Sequence, residues 1–481
     1  MRQRLVTPEN KKWWTLAAVS VGLFMIMLDN TVVNVALPSI RRSLGMSLSG
    51  LEWVVAGYAL TFAAFMLTGG KLADFIGRRL IFMVGLAIFT GASLACGLAP
   101  SGGFLIGSRV VQGLGGALMN PATLSIITAT FAPRERGKAI GIWAGISGMA
   151  LAIGPLVGGL LTEHVNWNWI FFINVPIGIA GILAARVLID ETRDQSAEQR
   201  LDVPGLTASA VGLFSLTYAF IEANTYGWTS TRILLAFGLA AVAIAAFVSL
   251  ERHQRTPMLD LSLFRNRTFG GANGAMLFVG LAMFGTFFYV SLYMQNVLRY
   301  SPVEAGASFL PMTVLIILIA PRAGALTDRI GSRWLVGIGM TLLAVMLFYY
   351  TQLGAHESFW AILPGLLIGG VGMGSTMTPT TAAAMSAVAV DKAGVGSAVL
   401  NSARQVGGSL GIAVMGAIVA STTASSLKAG DTPQLAYLHG FHDSLRIGSL
   451  ICLAGAVIAV LAIRKIEHGH AHEQASVLEA A

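Results

Sequence analysis

Charged residues are scarce in this sequence, and their scarcity excludes most soluble proteins. Asp, Glu, Lys and Arg make up 11% of the 481 residues, whereas 55% of the residues are hydrophobic. A soluble globular domain has about 25% charged residues. The mean hydropathy of +0.72 and the 56 glycines are typical of helices that pack closely in a bilayer. The composition therefore predicts an all-α membrane protein with many spans.

Cysteine is nearly absent, and so are the motifs of several enzyme classes. Cys96 and Cys452 both lie inside apolar runs, so no disulfide framework is expected. The sequence has no G-x-x-x-x-G-K-[ST] motif, which disfavours a pump driven by ATP. The apolar runs also lack a His/Glu cluster and a Ser/Lys pair, so we predict no catalytic residue and no metal site. The stretch HGHAH at 468–472 lies in a tail that we expect to be disordered.

Fourteen apolar runs are long enough to cross a bilayer as helices, which takes roughly 20 residues each. They occupy residues 13–37, 49–72, 79–98, 103–127, 137–161, 167–189, 203–223, 231–250, 268–297, 302–326, 333–353, 358–381, 393–421 and 444–464. The first run exceeds the roughly 7–15 residues of a signal-peptide core, so we expect it to be retained as a span. Loop 422–443 is expected to be a polar segment outside the membrane.

The distribution of positive charge orients these spans. If both termini are cytoplasmic, 23 Lys and Arg residues fall in cytoplasmic segments and 6 fall in segments on the other side. Because cytoplasmic loops are enriched in Lys and Arg, this asymmetry predicts an inner-membrane protein with cytoplasmic N- and C-termini. The topology also accounts for the net charge of +8, so no nucleic-acid partner is expected.

Two short loops reveal an internal repeat. The sequence GKLADFIGRR at 70–79 aligns with GALTDRIGSR at 324–333, with six identical positions at an offset of 254. Spans 1–6 and 9–14 are therefore predicted to be two copies of a six-span unit, a pattern typical of secondary transporters. The expected boundaries are an N-terminal half at 1–189, a linker with two inserted spans at 190–267, a C-terminal half at 268–464 and a cytoplasmic tail at 465–481.

The repeated loop is a candidate gating element. Gly70 and Gly77 permit close backbone approach, and Asp74 can cap a helix N-terminus. The alternative is a cytoplasmic loop whose Lys and Arg residues only orient the protein in the membrane. The second copy of the loop at 324–333 disfavours this alternative. The candidate gating residues of the two copies are Gly70, Asp74, Gly77, Arg78, Arg79, Asp328 and Arg333; Ser332 stands where the first copy has Arg78.

The loop at 70–79 resembles the signature between spans two and three of the major facilitator superfamily. Further stretches are similar to its fourteen-span drug:proton antiporters: LDNTVVNVALP (28–38), RVVQGLGGALMNPA (109–122), GPLVGG (154–159) and NWNWIFFINVPIG (166–178). The resemblance implies the major facilitator fold and export of amphipathic toxic compounds by alternating access. It implies no cofactor, since a proton gradient supplies the energy, and it implies small-molecule, proton and lipid-bilayer partners and a monomer.

Two rival functions remain open. One is a proton-coupled importer of a small nutrient on the same fold. The other is an intramembrane enzyme or a receptor, which the missing catalytic groups disfavour.

Asp29 is the first candidate for proton coupling, because charged groups in spans are costly and usually functional. In the predicted topology Asp29 lies roughly 12 Å deep in span 1 and Arg109 roughly 9 Å deep in span 4, so the two share a level. Their adjacency is implied only by the resemblance. The alternative is a structural ion pair. Met283 occupies the repeat position of Asp29, so the architecture itself does not require an acid. Glu222, at the end of span 7, is a weaker coupling candidate or an interfacial residue.

The remaining candidates concern helix packing and substrate contact. Gly154, Pro155, Gly158 and Gly159 match the antiporter motif of span 5, where small residues let another helix approach. The weak candidates for substrate contact are Asn34, Gln112, Tyr289, Tyr293, Gln295 and Arg404.

Overall fold

The structure is a computed structural model that describes residues 7, 10–193, 201–254, 257–388 and 393–464. The side chains of residues 133, 328 and 393 are also outside the description. The predicted tail at 465–481, with its HGHAH stretch, therefore lies outside the described residues, as does the side chain of Asp328.

Helices account for nearly all of the described residues, and no strand occurs among them. The helices are α1 (Lys11–Leu44), α2 (Leu48–Ile76), α3 (Arg78–Gly97), α4 (Gly102–Thr130), α5 (Pro133–His164), α6 (Trp169–Phe172), α7 (Asn174–Leu188), α8 (Val203–Tyr226), α9 (Thr231–His253), α10 (Arg267–Asn296), α11 (Pro302–Ser308), α12 (Leu310–Ile330), α13 (Ser332–Tyr350), α14 (Phe359–Ser386), α15 (Ala393–Lys428) and α16 (Pro433–Ala462). A short 3-10 helix spans Leu261–Arg265.

Fourteen spans in the described chain are long and apolar enough to cross a membrane, which confirms the predicted number. Two of them are interrupted. The sixth consists of α6 and α7, and the tenth consists of α11 and α12. Pro176 and Pro311 lie in the first turns of α7 and α12. A proline has no N–H for the carbonyl four residues earlier, which favours a helix break just before it.

The predicted boundaries of spans 13 and 14 at residues 421 and 444 are wrong, because most of the segment 422–443 is helical. Helix α15 continues to Lys428 and α16 begins at Pro433, with the Thr432 side chain accepting a hydrogen bond from the Leu435 N–H. At 36 residues, α15 is about 54 Å long, whereas the hydrocarbon core is about 30 Å thick. The helices extend past the apolar window, so hydropathy alone placed the end of α15 too early and the start of α16 too late.

The helices pack as two six-span halves, as the repeat predicts. In the first half α4 packs against α2 and α3, and α1 packs against α5; in the second, α15 packs against α10 and α14 against α12 and α13. The halves meet where α2 contacts α15 and where α5 contacts α11. The inserted helix α8 pairs with α9 and lies against both α2 and α15 at this boundary.

The two halves are joined at one end of the bundle. We call the face where α1 begins and α16 ends the terminal face, and the opposite face the distal face. Hydrogen bonds between the halves near the distal face link Gln295 Nε2 to the Val35 carbonyl (2.9 Å), Ser291 Oγ to the Asn34 carbonyl (3.1 Å) and the Val303 N–H to Glu163 Oε2 (2.9 Å). We call these contacts the distal seam. They close the space between the halves on that side.

Candidate functional site

Asp29 and Arg109 form an ion pair inside the first half. Asp29 lies on α1 and Arg109 on α4, and the structure brings Arg109 Nη1 to 2.5 Å from Asp29 Oδ2. The exposed fractions are 0% for Asp29 and 1% for Arg109. Each charge removes most of the cost of burying the other. The two residues that shared a level in the sequence therefore lie in direct contact.

Polar neighbours saturate this ion pair. Gln112 Nε2 donates to Asp29 Oδ1 at 2.9 Å, and Asn174 Nδ2 approaches the same oxygen at 3.4 Å. Arg109 donates from Nη1 to Gln112 Oε1 (2.6 Å) and from Nε to the Val54 carbonyl (3.1 Å). Such additional bonds are what make a buried charge pair tolerable in a low dielectric.

Three members of this site were not singled out in the sequence. The Tyr58 ring lies 4.3 Å from the Arg109 guanidinium carbon, a cation–π contact that shields the charge. Ser93 Oγ accepts a hydrogen bond from Gln112 Nε2 at 2.8 Å, and Asn174 begins α7 beside the carboxylate. Asn174 lies within the quoted stretch at 166–178, and a search for polar residues inside apolar runs would have found it; nothing in the spacing points to Tyr58.

A cavity lies between the two halves next to the ion pair. The space among its lining side chains is about 660 Å³ when the part that is open to solvent is included. The lining residues are Met27, Asn30, Thr31, Asn34, Leu151, Met283, Phe284, Phe287, Thr313, Ile316, Met373, Met377, Arg404 and Gln405. Helix α1 thus presents Asn30 and Asn34 to the cavity, while Asp29 points into the first half. The ion pair is one residue along the helix from the cavity wall and is not exposed to it.

The predicted substrate contacts divide into two groups. Asn34 and Arg404 line the cavity, and so does Met283, the repeat counterpart of Asp29. The other candidates lie elsewhere. Gln112 belongs to the ion-pair network, and Gln295 to the distal seam.

The two tyrosines also lie outside the cavity lining. Tyr289 donates to Glu52 Oε1 at 2.9 Å, which links α10 to α2 near the distal face. Tyr293 stacks on Phe441 with ring centroids 4.8 Å apart, and its hydroxyl donates to the Gly354 carbonyl at 2.6 Å.

Glu222 lies near the distal end of α8, away from the ion pair. Its Oε1 accepts a hydrogen bond from Trp53 Nε1 at 3.2 Å. This contact attaches the inserted helix to α2. The geometry brings Glu222 together with Trp53 and not with Asp29.

The two repeated loops fold alike. Gly77 separates α2 from α3 with φ +145°, and Gly331 separates α12 from α13 with φ +85°, both in the region that favours glycine. The close backbone approach expected at Gly70 occurs instead at its neighbour, since a Cβ at Gly69 would lie 2.5 Å from the Ala117 carbonyl oxygen. Gly77 and Gly331 thus each allow the chain to reverse direction between two spans.

The charges of the first loop are paired. Asp74 Oδ1 lies 3.0 Å from Arg78 Nη2. The carboxylate at the start of α3 is that of Glu191, which accepts from the Arg79 N–H at 3.0 Å and the Leu80 N–H at 3.1 Å. Sequence analysis did not single out Glu191. In the second loop the Arg333 guanidinium carbon lies 5.1 Å from the Trp334 ring centroid.

The glycines of the span 5 motif make three different close approaches. A Cβ at Gly154 would collide with the Thr31 hydroxyl, and one at Gly158 would lie 2.7 Å from the Val32 carbonyl oxygen, both on α1. A Cβ at Gly159 would lie 2.5 Å from the Pro302 carbonyl oxygen at the start of α11. Pro155 supplies the carbonyl against which Gly306 of α11 packs. The motif therefore touches α1 in its own half and α11 in the other half.

Fourteen spans arranged as two six-span halves around a cavity, with an ion pair buried beside it, define a membrane transporter. The comparison with family models makes the assignment specific. The chain belongs to the Major Facilitator Superfamily, whose model matches residues 19–412. The resemblance seen in the sequence is confirmed.

Curated relatives of the chain are resistance and export proteins. It is 38% identical over 416 residues to the tetracenomycin C resistance and export protein of Streptomyces glaucescens, covering 85% of this chain and 76% of that protein. It is 36% identical over 473 residues to a puromycin resistance protein of Streptomyces alboniger, covering 94% and 91%. Its fold is similar to that of a bacterial homolog to the human lysosomal transporter Spinster in an inward-facing and unoccupied conformation, with a TM-score of 0.68, 19% identity and coverage of 96% and 98%.

Proposed function

We propose that this protein exports amphipathic drugs or toxic metabolites across the cell membrane in exchange for protons. The observation that carries the proposal is the fully buried Asp29–Arg109 pair, one residue along α1 from the cavity wall. The names of the relatives, which report antibiotic resistance and export, support the direction of transport. The positive-charge asymmetry supports cytoplasmic termini, so the terminal face is the cytoplasmic one.

Protonation of Asp29 would change the balance of charge inside the first half. A neutral carboxylic acid no longer compensates Arg109, whose charge is then held by Gln112 Oε1, the Val54 carbonyl and the Tyr58 ring. An uncompensated buried charge is costly, so a rearrangement that restores solvation or the ion pair is favoured. Proton binding at Asp29 thereby biases one conformation over the other.

Helix α1 offers a route from this charge change to the distal seam. Val32 of α1 packs on Gly158 of α5, and Gly159 packs on Pro302 of α11 in the opposite half. In this proposal α1 and α5 move together as parts of the first half, and Gly159 of α5 carries that movement to Pro302 at the seam. The hydrogen bonds of the distal seam support a conformation that is closed on the distal side and loads substrate from the cytoplasm.

We also propose domain boundaries, a role for the inserted spans and an oligomeric state. We place the ends of the N-terminal half, the linker and the C-terminal half at residues 189, 267 and 464. The inserted helix α8 would cover the line along which α2 and α15 meet. The protein acts as a monomer, since the cavity and the ion pair are both complete within one chain.

Efflux from cells tests the proposal. A drug-sensitive bacterial strain expressing the full chain should become resistant to compounds from a panel that includes puromycin and tetracenomycin C. The cells should also lose preloaded compound faster than a strain expressing Asp29→Asn. A protonophore should remove the difference. Accumulation instead of loss would favour the rival function, a proton-coupled importer, and efflux unaffected by the protonophore would exclude proton coupling.

A further inference from the structure

Arg404 places a positive charge in the wall of the cavity. It lies on α15, it lines the cavity between the halves, and its exposed fraction is 9%. Among the described residues that line the cavity, Arg404 is the one charged side chain. Asp29 and Arg109 do not alter this balance, because they neutralise each other outside the cavity lining. The cavity wall therefore carries one net positive charge.

This charge has no acidic partner within the described chain. Arg404 Nη2 donates to Asn401 Oδ1 at 3.2 Å, a neutral acceptor on the same helix. Its Nε is buried without a hydrogen-bond partner, and none of the described Asp and Glu residues lies within ion-pair distance. Arg109 shows how this protein holds a guanidinium that needs no ligand, with a carboxylate, an amide oxygen and a backbone carbonyl. Arg404 lacks that compensation.

A second polar group in the cavity wall is also unsatisfied. Asn34 lies on α1 in the opposite half, and its Oδ1 is buried without a hydrogen-bond partner. Its Nδ2 donates to the Asn30 carbonyl at 3.2 Å, so the free oxygen is an acceptor for a ligand's hydroxyl or N–H. The rest of the wall is mainly apolar and aromatic, including Phe284 and Phe287.

We propose that the cavity takes amphipathic organic acids: molecules with a bulky apolar or aromatic body, an ionised carboxylate, phenolate or enolate, and a hydroxyl donor. The anion would bind the Arg404 guanidinium, whose fork of donors suits such oxygens. The apolar body would cover the phenylalanine and methionine side chains, and the hydroxyl would reach Asn34 Oδ1. This inference rests on the proposed export function and names the substrate class of its cavity.

Two dyes with one aromatic frame and opposite charge test the inference. Fluorescein is anionic at neutral pH, and rhodamine 123 carries the same xanthene frame as a cation. Binding of each is measured by fluorescence anisotropy on the full chain in lipid nanodiscs. The wild-type protein should bind fluorescein about tenfold more tightly than rhodamine 123, as expected for a hydrogen bond between charged groups. A preference for rhodamine 123, or no preference, overturns the inference without any variant.

Variants locate the preference. Arg404→Gln should weaken fluorescein binding about tenfold and leave rhodamine 123 within about twofold, while Arg404→Lys keeps most of the preference because the charge remains. Arg232→Gln is the matched control, since Arg232 lies over the Tyr226 ring at the distal end of α9, away from the cavity. If Arg404→Gln weakens both dyes equally, Arg404 has a structural role and the inference fails.

Failure of this inference is distinguishable from failure of the proposed function. Dye binding in nanodiscs needs no proton gradient, so the charge preference is measured independently of proton coupling. Loss of the charge preference with protonophore-sensitive efflux intact would refute the substrate class alone. A charge preference without protonophore-sensitive efflux would refute the coupling alone.

Discussion

Asp29 and Arg109 are two buried charges whose energies depend on each other. Both are shielded from solvent, and the Asp29 carboxylate receives donors from Arg109, Gln112 and Asn174. Removal of one partner of such a pair leaves the other charge uncompensated in a low dielectric. At the residue scale, therefore, each of the two charges is tolerated in the interior because the other is present.

Arg109→Ala should abolish efflux and lower the free energy of unfolding by about 3–5 kcal/mol, because Asp29 loses its cation. Arg109→Lys should restore part of both, since an ammonium keeps the charge but cannot reach Asp29, Gln112 and the Val54 carbonyl in one planar fork. The checks are thermal unfolding in detergent and efflux rates, with Arg232→Ala as the control. Normal efflux by Arg109→Ala would remove the ion pair from the mechanism.

At the element scale, α5 connects the ion-pair helix to the distal seam. Gly154 and Gly158 pack against α1, and Gly159 packs against the first residues of α11. The two neighbouring glycines at 158 and 159 thus make contacts inside one half and between the halves. Substitutions at these two positions separate packing of the first half from closure of the seam.

Gly159→Leu should open the distal seam, because even its Cβ would lie 2.5 Å from the Pro302 carbonyl oxygen. Gly158→Leu should instead strain the packing of α5 on Val32 and leave the seam closed. The reporter is a cysteine at position 291, where Ser291 is buried in the seam, labelled from outside with an impermeant maleimide. Cys96 and Cys452 are buried and give the background, measured in the parent chain.

Labelling of the position 291 cysteine should rise at least about fivefold in the Gly159→Leu background and stay near the parent rate with Gly158→Leu, because only the former separates the halves. Gly159→Ala should have a smaller effect than Leu. Equal labelling in both leucine variants would contradict the assignment of Gly159 to the seam.

Asp74 lies in the last turn of α2, next to the Gly77 turn, at the terminal face and outside the cavity lining. Its carboxylate pairs with Arg78, so Asp74→Asn changes the charge of the loop without touching a bound substrate. We expect slower efflux and an unchanged equilibrium affinity, since the loop affects conformational exchange and not the cavity. Drug binding and efflux rate are measured in parallel for Asp74→Asn and the wild type. A large loss of affinity with a normal efflux rate would instead place Asp74 in the binding site.

At the scale of the whole molecule, the sequence was sufficient to predict the features that depend on hydropathy and on the internal repeat. The number of spans, the two halves and the inserted pair follow from runs of apolar residues and one repeated loop. The sequence did not predict contacts between side chains that lie far apart in the chain. Glu191 at the start of α3 and Asn174 beside Asp29 lie 112 and 145 residues from their partners, and no local pattern records such pairs.

The ends of the helices were also beyond hydropathy. Helices α15 and α16 continue through a polar segment whose side chains are hydrogen-bonded: Thr422 Oγ1 donates to Asp443 Oδ2 at 3.2 Å and Ser426 Oγ donates to Asp431 Oδ2 at 2.7 Å. Whether Tyr289, Tyr293 and Gln295 line the cavity depends on how α10 is rotated about its axis. Its apolar residues surround it on every side, so the sequence contains no face that marks this rotation.

Drug-driven proton movement in proteoliposomes tests the central claim most directly. The purified chain is reconstituted with a pH-sensitive dye inside, and a compound against which it protects cells is added on one side. We predict that movement of the compound is accompanied by proton movement in the opposite direction, and that Asp29→Asn abolishes both while still binding the compound. Compound transport without a proton signal in the wild type, or a normal proton signal in Asp29→Asn, would contradict the account.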